Sequence, residues 1–208
     1  MREKESATSV IYVRHGKTDF PLDRIYCDDR EDPPLNATGL AQADNTARLL
    51  HNQTVHAIYA SPMARTQTTA KCIAREKSLP IQTDPRLKER HFGEWEGMYF
   101  DQIQSQYPET FQRWKQAPAA FQPDGGESMT DLLTRLHAST NEIIQKHDGE
   151  TVVIVTHVGP IRVLVAKAMD MAMEAHRYLR IDYASLTRLD YGRSKTNLIY
   201  LNYQPKLP

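Results

Sequence analysis

Two short apolar runs constrain the fold of this chain most strongly. Residues 10–13 (VIYV) and 152–155 (VVIV) are apolar at every position, the pattern of strands that are buried on both faces of a sheet. Helical patterns separate these strands from one another. The alternation predicts an α/β fold, a three-layer sandwich whose mostly parallel central sheet has helices on both faces.

The remaining elements follow from apolar spacing and from helix start signals. Strands are predicted at residues 10–13, 55–60, 151–156, 186–190 and 198–202, and the last two are expected to form an antiparallel hairpin. Helices are predicted at residues 38–50, 62–77, 100–107, 109–115, 129–147 and 161–169. Ser61 and Pro62 read as the N-cap and first residue of the second helix. Residues 17–36 are predicted to form a long loop.

The length indicates one domain that carries an insertion. The chain has 208 residues, so we expect residues 1–208 to form a single domain. Residues 90–126 are irregular and hold two short helical patterns. They are expected to form a small helical insertion, or cap, over the active-site edge, with Trp95 and Trp114 as packing anchors.

Charge and composition exclude several classes of protein. Lys plus Arg and Asp plus Glu each number 26, which gives a formal net charge of 0. Nucleic-acid binding is not expected, because it normally needs a basic face. Apolar runs far shorter than the roughly 20 residues of a membrane span argue against membrane association. Residues 1–6 are charged, unlike a secretory signal, and Cys27 and Cys72 are expected to be free thiols, which fits a reducing compartment. We therefore expect a cytoplasmic protein. Whether it forms a homodimer stays open.

Three polar groupings directly follow predicted strands. They are Arg14-His15-Gly16, the segment from Ser61 to Arg65, and His157, and they should meet at one edge of the sheet. Two arginines and two histidines make a poor metal site, because the guanidinium cations repel an ion. They suit phosphate, for which helix N-termini at residues 62 and 160 would add backbone donors. A neutral imidazole could attack phosphorus and form a phosphohistidine.

The order of these motifs resembles the histidine phosphatase superfamily, also called the phosphoglycerate mutase-like fold. The resemblance extends over nearly the whole chain. It is carried by the following segments, in chain order: RHGKT at residues 14–18, LNATGLAQA at 35–43, SPMART at 61–66, LKERHFGEWEG at 87–97, GES at 126–128 and TH at 156–157.

The resemblance implies a role for each motif residue. It implies that His15 is the nucleophile, that Glu89 is the general acid for the leaving oxygen, and that Arg14, Arg65 and His157 form the phosphate pocket. It implies no cofactor and no metal. Neighbouring guanidinium groups would favour the neutral imidazole that His15 needs for attack. A general acid must be protonated to donate.

Two points stay open at this stage. The residues alone do not choose among Glu89, Glu94 and Glu96 as the acid; only the resemblance selects Glu89. The family often has an asparagine six residues after the nucleophile, where this chain has Pro21, which offers no donor. Thr18, as a substrate-binding residue, or Asp19 or a loop amide would have to substitute.

The sequence favours a phosphomonoesterase that acts on a small phosphorylated metabolite. Mutases of the family resemble one another in a longer basic insertion and in His-Gly-Asn, whereas this chain has His157-Val158-Gly159-Pro160. A mutase-type phosphoryl transfer is the first alternative. The second is a binding module, a protein that binds phosphorylated ligands but has lost turnover. The lack of a side-chain donor at Pro21 favours this alternative. Glu127 and Ser128 are expected to serve the start of the following helix.

Overall fold

A computed structural model describes residues 7–26 and 31–204 of the chain. The charged residues 1–6 and Cys27, from which the cellular location was inferred, lie outside the described residues. Cys72 is a buried free thiol. None of the helices in the described ranges has the length and apolar character that membrane crossing needs.

A six-stranded mixed sheet forms the centre of the fold. Its strands are β1 (Thr8–Arg14), β2 (Ala57–Ala60), β3 (Ile81–Thr83), β4 (Thr151–Thr156), β5 (Leu186–Tyr191) and β6 (Thr196–Tyr203). Their order across the sheet is β3-β2-β4-β1-β5-β6. The first four strands are parallel, while β5 runs antiparallel to β1 and pairs with β6 as the predicted hairpin.

Helices cover both faces of this sheet, as the three-layer prediction required. The covering helices are α1 (Ala37–Leu49), α2 (Ala64–Lys77), α5 (Met129–Lys146) and α6 (Val158–Ala168), whereas α3 (Phe100–Gln106) and α4 (Pro108–Gln116) belong to the insertion. Side chains alternate along β1, so that Ile11 and Val13 share a core with α1 and α2. Val10 and Tyr12 share the opposite core with α5 and α6. Because β1 is buried on both faces, its apolar run is continuous rather than alternating.

The predicted insertion has an apolar cluster of its own. Trp95 is buried at its centre, with its ring stacked 4.9 Å from that of Phe121 and edge-on to Trp114 at 5.8 Å. Both tryptophans therefore pack the insertion as expected. The backbone N–H of Ile25 donates to the carbonyl of Met98, which ties the loop after β1 to the insertion.

Three details of the sequence prediction were wrong. Strand β3 was missed because it has three residues and lies at the sheet edge, where apolar patterning is weak. Helix α2 begins at Ala64 rather than at Pro62, with Met63 as its N-cap and no side-chain cap bond. Helix α6 begins at Val158 rather than at residue 161, with His157 as its N-cap.

Candidate active site

The carboxyl ends of β1, β2 and β4 bring the three polar groupings together. The backbone N–H of His15 donates to the carbonyl of Thr156 at 3.0 Å, and that of Ser61 donates to the carbonyl of Val155 at 3.0 Å. The ring centroids of His15 and His157 are 5.3 Å apart. The register of the parallel strands thus places both histidines at one point of the sheet edge.

The position of the proton on His15 follows from one hydrogen bond. Its Nδ1 lies 2.8 Å from the carbonyl oxygen of Gly16. A carbonyl oxygen can only accept, so Nδ1 carries the proton and Nε2 has the lone pair. Burial holds the pKa of His15 well below its ordinary value, and the cations Arg65 and Arg14 lower that pKa further. His15 is therefore a neutral imidazole with a nucleophilic Nε2.

His157 is fixed in the opposite tautomer. Its Nδ1 accepts from Nη2 of Arg65 at 3.2 Å, because a guanidinium only donates. Its Nε2 then carries the proton and donates to Oγ of Ser61 at 2.9 Å. Burial, followed by the charge of Arg65, lowers the pKa of His157 well below its ordinary value. The prediction that Ser61 is a helix N-cap was wrong, because its hydroxyl accepts the hydrogen bond from Nε2 of His157 instead.

The two arginines each pack against a tyrosine ring. Arg65 is 0% exposed, and its Cζ lies 4.4 Å from the ring centroid of Tyr26. The Cζ of Arg14 lies 3.7 Å from the ring centroid of Tyr183, and its Nη1 donates to the carbonyl of Ile181 at 2.7 Å. The buried Nε of Arg14 has no hydrogen-bond partner among the described residues. An anion in this pocket would satisfy that donor.

Thr18 lies beside the arginine–tyrosine contact. Its hydroxyl is buried, lies 2.9 Å from the hydroxyl of Tyr26, and accepts from the N–H of Phe20 at 3.3 Å. Asp19, the other candidate for replacing the missing asparagine, accepts from the side-chain amide of Asn36 at 2.8 Å. Thr18 thus orients Tyr26 in this structure, and direct contact of Thr18 with substrate stays a prediction.

Glu89 lies against the first turn of α6. Its Oε2 accepts from the N–H of Gly159 at 3.1 Å, and its Oε1 accepts from the N–H of Arg90 at 2.8 Å. Gly159 is two residues after His157, and the carboxylate lies close enough to Arg14 for its charge to act on that guanidinium. Of the other candidate acids, Glu94 is exposed and Glu96 accepts from the N–H of Phe92 within the insertion. The geometry therefore favours Glu89.

Both helix N-termini already hold carboxylates. The N–H of Gly159 in α6 binds Glu89, and the N–H of Ala64 in α2 donates to Asp32 at 2.7 Å. Asp32 also lies 3.4 Å from Nη1 of Arg65. One amide at each helix start is therefore satisfied by a carboxylate, and a contribution of the other amides to phosphate binding stays a prediction.

A partly buried ion pair holds the segment that carries Glu89. Arg135 donates to the backbone carbonyls of Arg86, Lys88 and Glu89 at 2.6, 2.9 and 2.7 Å. The same guanidinium pairs with Glu127 through two hydrogen bonds. Arg135 and Glu127 are positioning residues, because they fix the main chain from which the Glu89 side chain extends.

The prediction for residues 127 and 128 was half right. Ser128 is the N-cap of α5 and forms a capping box with Asp131. Glu127 does not serve the helix start; its Oε2 accepts from the N–H of His91 at 3.0 Å and its carboxylate pairs with Arg135. A carboxylate next to a helix start is indistinguishable in sequence from one that reaches back to an earlier loop.

Tyr26, Tyr183 and Arg162 are site residues that the sequence analysis missed. The ring of Tyr183 lies 5.7 Å from that of His15, and the ring of Tyr26 lies 6.2 Å from it. Arg162 lies in α6 close enough to Arg14 and Glu89 for their charges to act on it. Tyrosines in loops carry no periodic signal. Arg162 could have been found from its position five residues after His157, on a helix that starts at the site.

A comparison with protein families decides the membership of this chain. Residues 10–204 match the family described as the histidine phosphatase superfamily (branch 1). The chain belongs to this superfamily. The superfamily resemblance read from the sequence is thereby confirmed, as is the α/β fold.

Relatives and a solved structure support the assignment to the superfamily. The chain is 30% identical over 194 residues to phosphoserine phosphatase 1 of Hydrogenobacter thermophilus, covering 93% of this chain and 91% of the relative. It is 32% identical over 185 residues to a probable phosphoglycerate mutase GpmB of Yersinia pestis, covering 89% and 86%. The native mycobacterial glucosyl-3-phosphoglycerate phosphatase Rv2419c superposes with a TM-score of 0.85 at 26% identity, covering 95% and 100%.

Some relatives are longer than this chain. For mycobacterial relatives that are 34% identical over 196 residues, the match covers 92% of this chain and 53% of the relative. The chain therefore spans about half the length of the first curated relatives it matches.

Proposed function

We propose that this protein is a phosphomonoesterase that acts on a small phosphorylated metabolite through a phosphohistidine intermediate. The observation that carries the proposal is the state of His15. Its imidazole is neutral, its proton is held at Nδ1 by the Gly16 carbonyl, its lone pair is at Nε2, and the guanidinium groups of Arg65 and Arg14 lie close enough to lower its pKa. Phosphatase names among its relatives, such as phosphoserine phosphatase 1, support the same reaction class.

The first half-reaction transfers the phosphoryl group to the enzyme. Arg14 and Arg65 hold the phosphate oxygens and stabilise the charge that builds on them, while His157, which accepts from Nη2 of Arg65, orients that guanidinium. Nε2 of His15 attacks phosphorus as the bond to the ester oxygen breaks. Glu89, protonated when the dianion is bound, donates its proton to the leaving oxygen, which departs as a neutral alcohol.

The second half-reaction restores the enzyme. The Glu89 carboxylate takes a proton from a water molecule as the water oxygen attacks phosphorus. The N–P bond breaks, its electron pair returns to Nε2 of His15, and inorganic phosphate leaves. Glu89 is again a carboxylic acid, so one group serves as acid and then as base.

A phosphomonoester panel tests this proposal. We expect release of inorganic phosphate from p-nitrophenyl phosphate and from at least one metabolite in the panel, and no change in rate on addition of EDTA. A rate abolished by EDTA and restored by a divalent ion would contradict the mechanism. Binding of phosphate esters without turnover or phosphoenzyme would instead establish the binding module.

A mutase is the second candidate, because the relatives include a protein named as a probable phosphoglycerate mutase. The two reactions differ in the fate of the phosphate of 3-phosphoglycerate. A phosphatase releases it as inorganic phosphate, whereas a mutase primed with bisphosphoglycerate takes it onto the histidine after adding its own phosphoryl group at the other position, so that an isomeric phosphoglycerate forms. We expect release, and phosphorus NMR of the products distinguishes the two outcomes.

Replacement of Gly159 by alanine is expected to displace the acid. A Cβ at Gly159 would lie 2.1 Å from Oε1 of Glu89, so the carboxylate would have to move. For Gly159→Ala we expect kcat/KM for alkyl phosphates to fall by about 10- to 100-fold, within the range of general acid catalysis. Thermal unfolding should not suffer, because alanine is favoured over glycine within a helix. Full activity on alkyl phosphates would contradict this placement of Glu89.

The lowered pKa values of His15 and His157 predict activity that persists in mild acid. Because the pKa values of His15 and His157 are well below 6.5, both rings keep their neutral form as the pH falls through 6.5. We expect their NMR signals, assigned with His15→Ala and His157→Ala variants, to stay those of neutral imidazole at pH 6. A midpoint at or above 6.5 for His15 would show that burial and the arginine charges do not act on it as described.

A further inference from the structure

A cavity of about 450 Å³ lies against the carboxylate of Glu89. Gly159, whose N–H binds Glu89, and Val158, which directly follows His157, also line it. In the proposed reaction Glu89 protonates the leaving oxygen. The cavity therefore begins where the leaving group departs from the phosphate, and the inference drawn from it rests on the proposed function.

A second cavity, of about 380 Å³, lies on another side of Glu89 but has a different charge. Glu96 and Glu127 line it together with Glu89. Of its two cations, Arg135 is already paired with Glu127. Carboxylates in its walls disfavour an anionic ligand. The first cavity is therefore the better site for the organic part of a phosphoester.

The walls of the first cavity are largely apolar. Trp114 and Phe92 come from the insertion, and Leu132 and Val163 come from the facing helices α5 and α6. Cavities of this size usually bind ligands with well more than three carbon atoms, which contact apolar and aromatic side chains. The occupant should accordingly have an apolar body of about the size of a ring.

Positive charge is concentrated in the same cavity. Arg90, Lys115, Arg162 and Arg177 line it, whereas Glu89 is the single carboxylate among its lining residues. His176 adds no charge, because burial and the nearby arginines lower its pKa. The lining thus has an excess of cations that the neutral composition of the whole chain does not suggest.

Arg162 is the cation best placed to bind an anion there. Its Nε donates to the carbonyl of Leu179 at 2.7 Å, which is the hydrogen bond that its guanidinium makes within the described ranges. Arg90, by contrast, donates to the carbonyls of Phe121 and Glu127. Arg162 is half-buried and lies three residues after Gly159, on the same side of α6. Its terminal nitrogens can therefore turn toward an occupant next to Glu89.

We propose that this cavity binds the leaving group of the substrate and that the leaving group carries its own anionic group, which Arg162 recognises. The substrate class is then a phosphomonoester of an alcohol that combines an apolar body with a carboxylate or a second phosphate. Arg162 determines specificity in this scheme and takes no part in bond making or breaking.

Two aryl phosphates of equal shape test the proposal. 3-Carboxyphenyl phosphate and 3-carbamoylphenyl phosphate differ in charge but hardly in size. The ratio of their kcat/KM values is measured for the unchanged protein, for Arg162→Gln and for Lys167→Gln. Comparison of ratios between variants cancels the different intrinsic reactivities of the two esters. Lys167 is an exposed cation on the same helix that does not line the cavity, so it is the matched control.

We expect Arg162→Gln to lower the preference for the carboxylate by about tenfold or more, as loss of one charge-assisted bond does. Lys167→Gln should leave the ratio unchanged. A 3-phosphonophenyl phosphate, tested in parallel, shows which anion Arg162 prefers. Trp114→Ala should lower kcat/KM for both aryl esters alike and leave their ratio in place, because it removes an apolar wall and no charge.

Two results would overturn this assignment of Arg162. In one, both kcat/KM values stay unchanged in Arg162→Gln, so that Arg162 does not act on the substrate; in the other, both values fall by the same factor, which would mean that Arg162 acts on Arg14 or Glu89. If the proposed function itself is wrong, the outcome differs from both: no aryl phosphate is hydrolysed and no phosphoenzyme forms. Hydrolysis without charge preference would refute the leaving-group inference alone.

Discussion

His15→Ala is expected to abolish turnover and to remove the phosphoenzyme. Alanine offers no nitrogen for attack on phosphorus, and removal of a catalytic nucleophile costs at least about 10³-fold in kcat. In the unchanged protein, rapid quenching with a ³²P-labelled substrate should trap label that is stable in base and labile in acid, as a phosphohistidine is. The same quench of His15→Ala should trap none.

The histidines of the chain provide a matched control for this result. His137 is exposed on α5, so His137→Ala should keep both turnover and label. Acid-labile label that persists in His15→Ala would move the nucleophile to another histidine. His157 is the poorer candidate, because its Nδ1 accepts from Arg65 and its Nε2 carries a proton.

Glu89→Gln is expected to separate substrates by the quality of their leaving group. An amide cannot donate the proton that an alkoxide needs, so alkyl phosphates should lose about 10²- to 10⁴-fold in kcat/KM. p-Nitrophenolate leaves without a proton, and formation of the phosphoenzyme from p-nitrophenyl phosphate should be nearly normal. Burst kinetics with p-nitrophenyl phosphate would show this step directly.

Glu89→Gln also tests the second half-reaction. Without a carboxylate to activate water, the phosphoenzyme of Glu89→Gln should persist, so the burst is followed by a slow steady state. Glu94→Gln is the control, since Glu94 is exposed and lines neither of the two cavities beside Glu89. Equal losses for alkyl and p-nitrophenyl esters would exclude Glu89 as the acid.

The sheet edge was predictable because strand patterning and topology act together. Continuous apolar runs at β1 and β4 required a sheet buried on both faces, and parallel strands put their carboxyl ends at one edge. The meeting of Arg14, His15, Arg65 and His157 follows from that argument. The family resemblance then supplied Glu89, which the residues alone could not select from its neighbours.

Contacts between distant segments were not predictable in this way. Ser61 has the residue type of a helix cap, but its hydroxyl is taken by His157, 96 positions later in the chain. Glu127 binds the N–H of His91 and pairs with Arg135 instead of capping the start of α5, and Tyr26 and Tyr183 reach the arginines from loops without periodicity. In each case a tertiary partner decides the role, and local spacing carries no information about that partner.

The hydrogen bond from Nδ1 of His15 to the Gly16 carbonyl also bears on the lifetime of the phosphorylated enzyme. When phosphorus is attached at Nε2, the ring still carries its Nδ1 proton and becomes a cation, which the carbonyl oxygen stabilises. A protonated phosphoimidazole releases its phosphoryl group more readily than a neutral one, because the departing nitrogen leaves as a neutral ring. The oxygen of Gly16 thus favours a short-lived intermediate, which suits the proposed transfer of phosphate to water.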